Sequence, residues 1–221
     1  MSEAGRSVEV DAARLIRWCD GFAVRHTVPV PQSTILAPDV VVARVGDCLL
    51  LTGPDGATAR LHPPFPWPDD VVDVEAGARF LLDVDRCAVL LVRRGGYACA
   101  VIRGDRVESS KVGTRYVQGR TAAGGWSQQR FANRRDNQTH GLVTTAADVA
   151  ERILVHGAGG YSWLVTGGDA ALVARVLADH RLKVLAELPR GPHLAVGDPR
   201  SDVVRALPGL LRAVRIVLIE A

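Results

Sequence analysis

Short apolar runs separated by turn residues dominate the middle of the chain. RFLLDVD (79–85), CAVLLVRR (87–94) and YACAVIR (97–103) are aliphatic, β-branched and bounded by charged or glycine positions, which predicts three strands. Gly95-Gly96 predicts a tight hairpin turn between the last two. RVESSKVGTRYVQ (106–118) alternates in part and predicts one or two further strands. The rhythm then lengthens to that of helices. A glycine-bearing loop, GRTAAGGWSQQ, leads into a helical stretch over 127–137. Thr145 with Asp148 reads as a capping box opening a second helix over 146–156. YSWLVTGG (161–168) predicts a strand, and Asp169 the N-cap of the helix ALVARVLADH. KVLAEL (183–188) predicts a strand, Asp198-Pro199 the start of a helix reaching 212, and VRIVLIEA (214–221) a closing strand.

The first 75 residues carry weaker patterning. A short helix is expected over 10–19, followed by two apolar runs, VVVARV and CLLLTG, and a turn at Pro54-Asp55-Gly56. HPPFPWPDD (62–70) holds four of the 12 prolines and is expected to be extended, as a linker or the edge of a small appended domain. A meander followed by alternating helix and strand predicts an α/β (α+β) fold, a mixed β-sheet covered by helices. The expected domains are 1–75, a small N-terminal addition, and 76–221, the main body.

Composition narrows the class. With 48% hydrophobic and 23% charged residues in 221 positions, the chain has the make-up of an ordinary globular protein and enough length for a real core. No apolar run approaches the ~20 residues of a membrane span, and the start MSEAGRSVEVDAAR has no apolar stretch of a secretion signal. Cys19, Cys48, Cys87 and Cys99 lack metal-ligand spacing and are expected to be buried, reduced thiols in a cytoplasmic protein. The six histidines show no ligand spacing, so neither a metal nor a cofactor is expected.

Charge changes the picture more. The net value is only +3, but 103–135 holds eight bases (Arg103, Arg106, Lys111, Arg115, Arg120, Arg130, Arg134, Arg135) against Asp105 and Glu108. That segment is +6 and the remainder −3, a distribution suited to a polyanionic partner such as nucleic acid. A solvated charged surface is the plainer reading of the same strip.

Within the strip, GRTAAGGWSQQRFANRRDNQ (119–138) combines features that act together. Gly124-Gly125 permits backbone torsions and approaches that a Cβ forbids. Ser127, Gln128 and Gln129 sit where loop becomes helix, and a helix N-terminus favours an anion. Arg130 and Arg134 lie one turn apart with Arg135 adjacent, and Phe131 is expected to point to the body. Two lookalikes compete. Gly125-Trp126-Ser127-Gln128-Gln129 misses the last glycine of a G-x-S-x-G nucleophile elbow, although His140 and Asp148 follow. VTGGDAAL resembles a phosphate-binding turn but lacks the glycine pattern of one, so a plain strand-to-helix turn is expected.

At these same residues the chain resembles class-one peptide chain release factors of eukaryotes and archaea, which carry a GGQ loop followed by SALRFARLR-like residues. Gly124, Gly125, Ser127, Arg130, Phe131, Ala132 and Arg135 match in register, while Trp126 stands at the glutamine position. Glutamines follow at 128 and 129, and Gly125-Trp126-Ser127-Gln128 looks like the G-x-x-Q form of the Vms-like release factor branch, whose actinobacterial members the arginine- and alanine-rich composition suits. The order of elements over 78–221 also resembles the release-factor catalytic domain.

The resemblance implies a peptidyl-tRNA hydrolase that cleaves the ester joining a nascent peptide to tRNA in ribosome rescue. It implies Gln128 as the positioning residue, with Gln129 in reserve, Gly124 and Gly125 for loop entry, and Lys111, Arg115, Arg120, Trp126, Arg130, Arg134 and Arg135 on RNA. The implied partners are the large ribosomal subunit and peptidyl-tRNA, met by a cytoplasmic monomer without membrane attachment. With 221 residues there is little room for decoding domains, so codon-independent action is expected. Two alternatives stand beside this: tRNA cleavage near the 3′ CCA end, and a non-catalytic RNA- or ribosome-binding module in which Trp126 stacks on a base.

Overall fold

The computed structural model describes residues 5–27, 40–114, 126–157 and 159–220, and of 126–135 the backbone alone. The chain divides into two compact units, Met1–Asp83 with Gly209–Ala221, and Val84–Pro208.

The first unit is built on an antiparallel sheet. Its elements are β1 (Arg6–Asp11), a 3-10 turn (Ala12–Arg14), α1 (Leu15–Arg25), β2 (Val41–Val45), β3 (Cys48–Thr52), β4 (Thr58–His62) and α2 (Val74–Leu82). The closing strand of the chain, β10 (Ala213–Ile219), completes it, and the strand order is β1-β10-β4-β3-β2. The helix expected over 10–19 starts later, because Val10 pairs with Val214 in the sheet and Asp11 caps the turn by accepting from the Ala13 N–H at 2.9 Å. The proline-rich stretch is packed into this unit. Phe65 and Trp67 are buried, and the Arg44 guanidinium donates to the carbonyls of Trp67 (2.9 Å), Pro68 and Val71 (3.4 Å).

Residues 79–85, expected as a strand, lie mostly in α2. Asp73 caps that helix by accepting from the Ala76 N–H at 2.7 Å, and Val74, Gly77, Ala78 and Leu81 are buried at helical spacing. A window opened at Arg79 cuts this stripe in half and leaves only a run that looks β.

The second unit holds the mixed sheet. β5 (Cys87–Arg93), β6 (Gly96–Arg103) and β7 (Arg106–Thr114) form an antiparallel meander, and β8 (Trp163–Gly168) and β9 (Arg190–Leu194) add in parallel, giving the order β7-β6-β5-β8-β9. β5 is central and buried from Cys87 to Val92, which explains its unbroken apolar run. Helix α3 (Trp126–Ala150), α4 (Ala170–Leu177) and α5 (Lys183–Ala186) contribute to one core with the sheet, through Leu142, Ala146, Val149, Val173, Val176 and Leu185 against Ala88, Leu90, Val92, Cys99 and Val101. α6 (Ser201–Leu210) follows β9. The α/β fold with a mixed sheet covered by helices is thus the observed one.

Three local expectations change here. The two helices expected over 127–137 and 146–156 are one continuous helix, ending in a π-turn (Glu151–Val155) closed by the His156 N–H on the Glu151 carbonyl at 2.9 Å. Thr145 is inside it and donates its hydroxyl to the Gly141 carbonyl at 2.8 Å instead of capping. KVLAEL is helical at 183–186, since Leu182 and Leu185 are buried three apart, and the strand falls at β9 with Pro192 on the sheet edge. The helix expected from Pro199 begins at Ser201.

Among the described residues no helix is long and apolar enough to cross a membrane. All four cysteines are free and buried, as expected.

Candidate functional site

The glutamines of the candidate loop fall in the first turn of α3, which begins at Trp126. The first turn of a helix leaves its N–H groups without intrahelical partners and carries the positive end of the helix dipole. No acidic residue occupies that turn to neutralise it. The backbone at Gln128 and Gln129 therefore lies in a field that favours negative charge. Gly124, Gly125, Arg115 and Arg120 lie outside the described residues, as do the side chains of Trp126, Gln128, Gln129, Arg130, Arg134 and Arg135.

The root of α3 fixes where that turn is presented. Leu142, Ala146 and Ala150 are fully buried and Ala147 and Val149 nearly so, which anchors the C-terminal half of the helix in the core of the second unit. Arg181 adds a polar clamp. It donates to Asp148 at 2.9 Å and Glu151 at 2.8 Å on α3 and its π-turn, and to Asp179 at 2.7 and 2.9 Å beside it. Sequence spacing alone does not reveal this group, because Arg181 is 33 and 30 residues from its α3 partners.

The clamp also has a pH signature. The guanidinium of Arg181, by hydrogen bond and charge, lowers the Asp179 carboxyl from its ordinary 3.8 to about 2. A carboxylate held below its unfolded value stabilises the fold above pH 3.8 and loses that contribution as pH falls toward about 2. Arg181→Ala is expected to lower the Tm at neutral pH, with the gap to the native chain closing over that acid window. Thermal unfolding followed from neutral to acid pH checks this; a gap that stays constant through the window refutes the role given to the pair.

The first part of the basic strip lies on the edge strand β7 and the turn before it. Both acids of the basic strip are engaged there: Glu108 with Arg86 at 2.7 Å and Arg103 at 3.9 Å, and Asp105 with Arg106 at 3.6 Å. Lys111 is exposed and pairs with Cys99, whose side chain belongs to the core formed with α3. Directly paired residues share a sheet face, so Lys111 stands on the α3 side. Near the end of the strand, the buried Tyr97 ring occupies the space over Gly113, so a Cβ there would force the ring to move. Tyr97 and Gly113 were not singled out in the sequence; their only signal is a glycine opposite an aromatic residue across a hairpin.

Several competing chemistries lose their geometry. Ser127 and His140 are thirteen residues apart on one continuous helix, about 20 Å by helical rise, and Asp148 is about 32 Å from Ser127 by the same rise. No serine–histidine–aspartate relay can span that, and Asp148 is bonded to Arg181. The VTGGDAAL turn is a strand-to-helix connection closed by its own aspartate, which accepts from the Ala171 and Leu172 N–H groups at 3.0 and 3.1 Å. Gly168 there has φ +91° and its Cβ position lies 2.4 Å from the Val92 carbonyl, a structural demand for glycine. Burial pushes the Cys87 and Cys99 thiols up to about 12, so neither is a thiolate nucleophile near neutral pH. Among the described residues no group of three His, Cys, Asp or Glu side chains is placed to hold a metal ion.

Solved structures that align with the chain include three of known name. The Vms1 mitochondrial localization core is 10% identical, with 79% of this chain and 76% of that one covered and a TM-score of 0.43. An archaeal translation termination factor, aRF1, is 13% identical (93% and 66% covered, TM-score 0.34). Pelota of Archaeoglobus fulgidus is 12% identical (96% and 65% covered, TM-score 0.32). No curated protein matches. The family model described as the Actinobacteria/chloroflexi VLRF1 release factor matches residues 85–217, more than half of the chain. The chain belongs to the Actinobacteria/chloroflexi VLRF1 release factor family.

Proposed function

We propose that this protein is a peptidyl-tRNA hydrolase that frees nascent peptides from obstructed ribosomes without reading a stop codon. The observation that carries the reading is the Gly124-Gly125-Trp126-Ser127-Gln128 run, opening into the first turn of α3, in a chain of a release factor family. Catalysis is placed within 76–221, with 1–75 as an N-terminal addition.

The chemistry follows from what a glutamine amide can do. It is not basic near neutral pH, so it does not abstract a proton; it donates and accepts hydrogen bonds and can hold a water against the ester carbonyl. Gln128 takes that role and Gln129 is its reserve. Loop N–H groups and the free N–H groups of the α3 first turn favour the oxyanion that forms as water adds to the carbonyl, a contribution of roughly 3 kcal/mol per donor in such sites. The tetrahedral intermediate then collapses, the ester C–O bond breaks, and the tRNA 3′ oxygen leaves with a proton as a hydroxyl. Lys111, Arg115, Arg120, Arg130, Arg134 and Arg135 hold RNA phosphates, and Trp126 stacks on RNA. The partners are the large ribosomal subunit and peptidyl-tRNA, and the protein works as a cytoplasmic monomer with no cofactor.

The test is peptide release from purified ribosomes bearing labelled peptidyl-tRNA, with the codon in the decoding site varied. Release above buffer, equal with sense and stop codons, is expected, and sequencing of the tRNA 3′ ends is expected to show intact CCA. Shortened 3′ ends mean a nuclease; binding without either product means an RNA-binding module. Either result overturns the proposal.

A further inference from the structure

The first unit carries a surface of opposite character. Residues 1–83 with 209–221 hold thirteen acids against nine bases, a net −4, whereas 84–208 hold eighteen bases against eleven acids, a net +7. A unit with that sign repels phosphate and suits a cationic partner.

Within it lies a groove of about 460 Å³. One wall is a stripe of α1, where Ile16, Cys19, Asp20 and Ala23 recur at helical spacing. The floor is Val42 and Leu51, paired across β2 and β3, and the far wall is the start of α2 at Val74 and Glu75. The lining is thus aliphatic, with the carboxylates of Asp20 and Glu75 exposed at it. Cys19 is no reactive handle in this setting, since burial and the nearby Asp20 charge raise its thiol to about 12.

The groove adjoins an edge strand. β2 is the last strand of its sheet, with no further strand beside it among the described residues. Sheet edges are normally blunted by lysine, proline or outward charge. β2 reads VVARV, and its one charge, Arg44, is turned onto the carbonyls of Trp67, Pro68 and Val71. Val41 and Val45 are left 62% and 48% exposed. A backbone row with no strand beside it among the described residues, an adjoining aliphatic pocket and flanking carboxylates together describe a receptor for an added strand.

We propose that β2 and this groove dock an extended segment of a protein partner, which pairs with β2 as a sixth strand, places an aliphatic side chain in the groove, and sets lysine or arginine against Asp20 and Glu75. This inference stands apart from the release reaction, which it neither uses nor alters.

The test uses the full chain and three labelled probes in fluorescence anisotropy: a short peptide alternating valine and lysine, its valine–glutamate counterpart, and a single-stranded RNA of matching length. Saturable binding of the lysine peptide is expected, with none of the glutamate peptide. Asp20→Lys with Glu75→Lys is expected to weaken it about tenfold, and Ala23→Trp, which fills the groove, to do the same. Thermal unfolding verifies that both variants fold, since Asp20 and Glu75 are exposed and α1 keeps its core residues Leu15, Cys19 and Phe22. Amide exchange in β2 is expected to slow on binding. The inference is overturned by absence of saturable binding, by equal binding to the charge-reversed chain, by unchanged exchange in β2, by RNA displacing the peptide, or by sedimentation showing a second copy of the chain in the groove.

Discussion

Gln128→Ala is expected to reduce the rate of peptide release by about a hundredfold or more, with ribosome binding unchanged. The size follows from what the proposed mechanism loses: a neutral group holding the attacking water, where misplacement of an ångström costs on the order of a hundredfold. Loop N–H groups remain in the variant, so a residual rate above buffer is expected. Gln129→Ala is expected to have a much smaller effect. The basic residues answer to a different measurement: Arg130→Ala or Arg134→Ala is expected to weaken ribosome or tRNA binding and flatten its salt dependence, leaving the rate at saturation near normal. Single-turnover release at saturating and limiting protein separates the two classes. A native release rate for Gln128→Ala with loss in Gln129→Ala transfers the role to the second glutamine. Native rates for both variants eliminate the glutamine mechanism.

Leu142→Ala is expected to destabilise the second unit by about 2–5 kcal/mol, the range for truncating a fully buried leucine. Leu142 has no exposed surface and sits in the core of the unit where α3 meets the sheet. Its loss leaves a cavity under the helix that presents Gln128, so both stability and release are affected, but by separable routes. Chemical denaturation is expected to show the loss of stability, while release well below the unfolding temperature falls by far less than for Gln128→Ala. A release defect equal to that of Gln128→Ala in a demonstrably folded Leu142→Ala chain contradicts the view that α3 acts as a rigid mount. The Arg181 clamp gives an independent handle on the same helix, since its contribution fades in acid and that of Leu142 does not.

The mount and the loop motif are legible in the sequence to different degrees. The motif over 124–135 and the strands β5, β6, β8 and β10 are carried by local sequence, as is the Asp169 cap. Other features depend on partners distant in the chain. Arg181 reaches Asp148 and Glu151 from 33 and 30 residues away, and no spacing rule covers such a gap. Lys111 could be named as basic from sequence, but its position on the α3 side follows only from pairing with Cys99. The groove beside β2 draws on α1, β2, β3 and α2, and its residues look ordinary until they are brought together.

The sequence by itself determined the family, the basic strip and the α/β class, because each is written in contiguous residues or short periodicities. Tertiary structure decided what short windows leave degenerate. Residues 79–85 and 183–188 became helical because burial at Val74, Ala78 and Leu81, and at Leu182 and Leu185, rewards a 3.6-residue repeat over an alternating one. Two expected helices fused into α3 because the core rewards one continuous buried stripe over an internal cap at Thr145. The closing strand entered the first unit between β1 and β4, where Val214 and Ile216 are fully buried by pairing with residues near the other end of the chain. An apolar run says that a segment will be buried; which neighbours bury it is a long-range matter that only the assembled fold resolves.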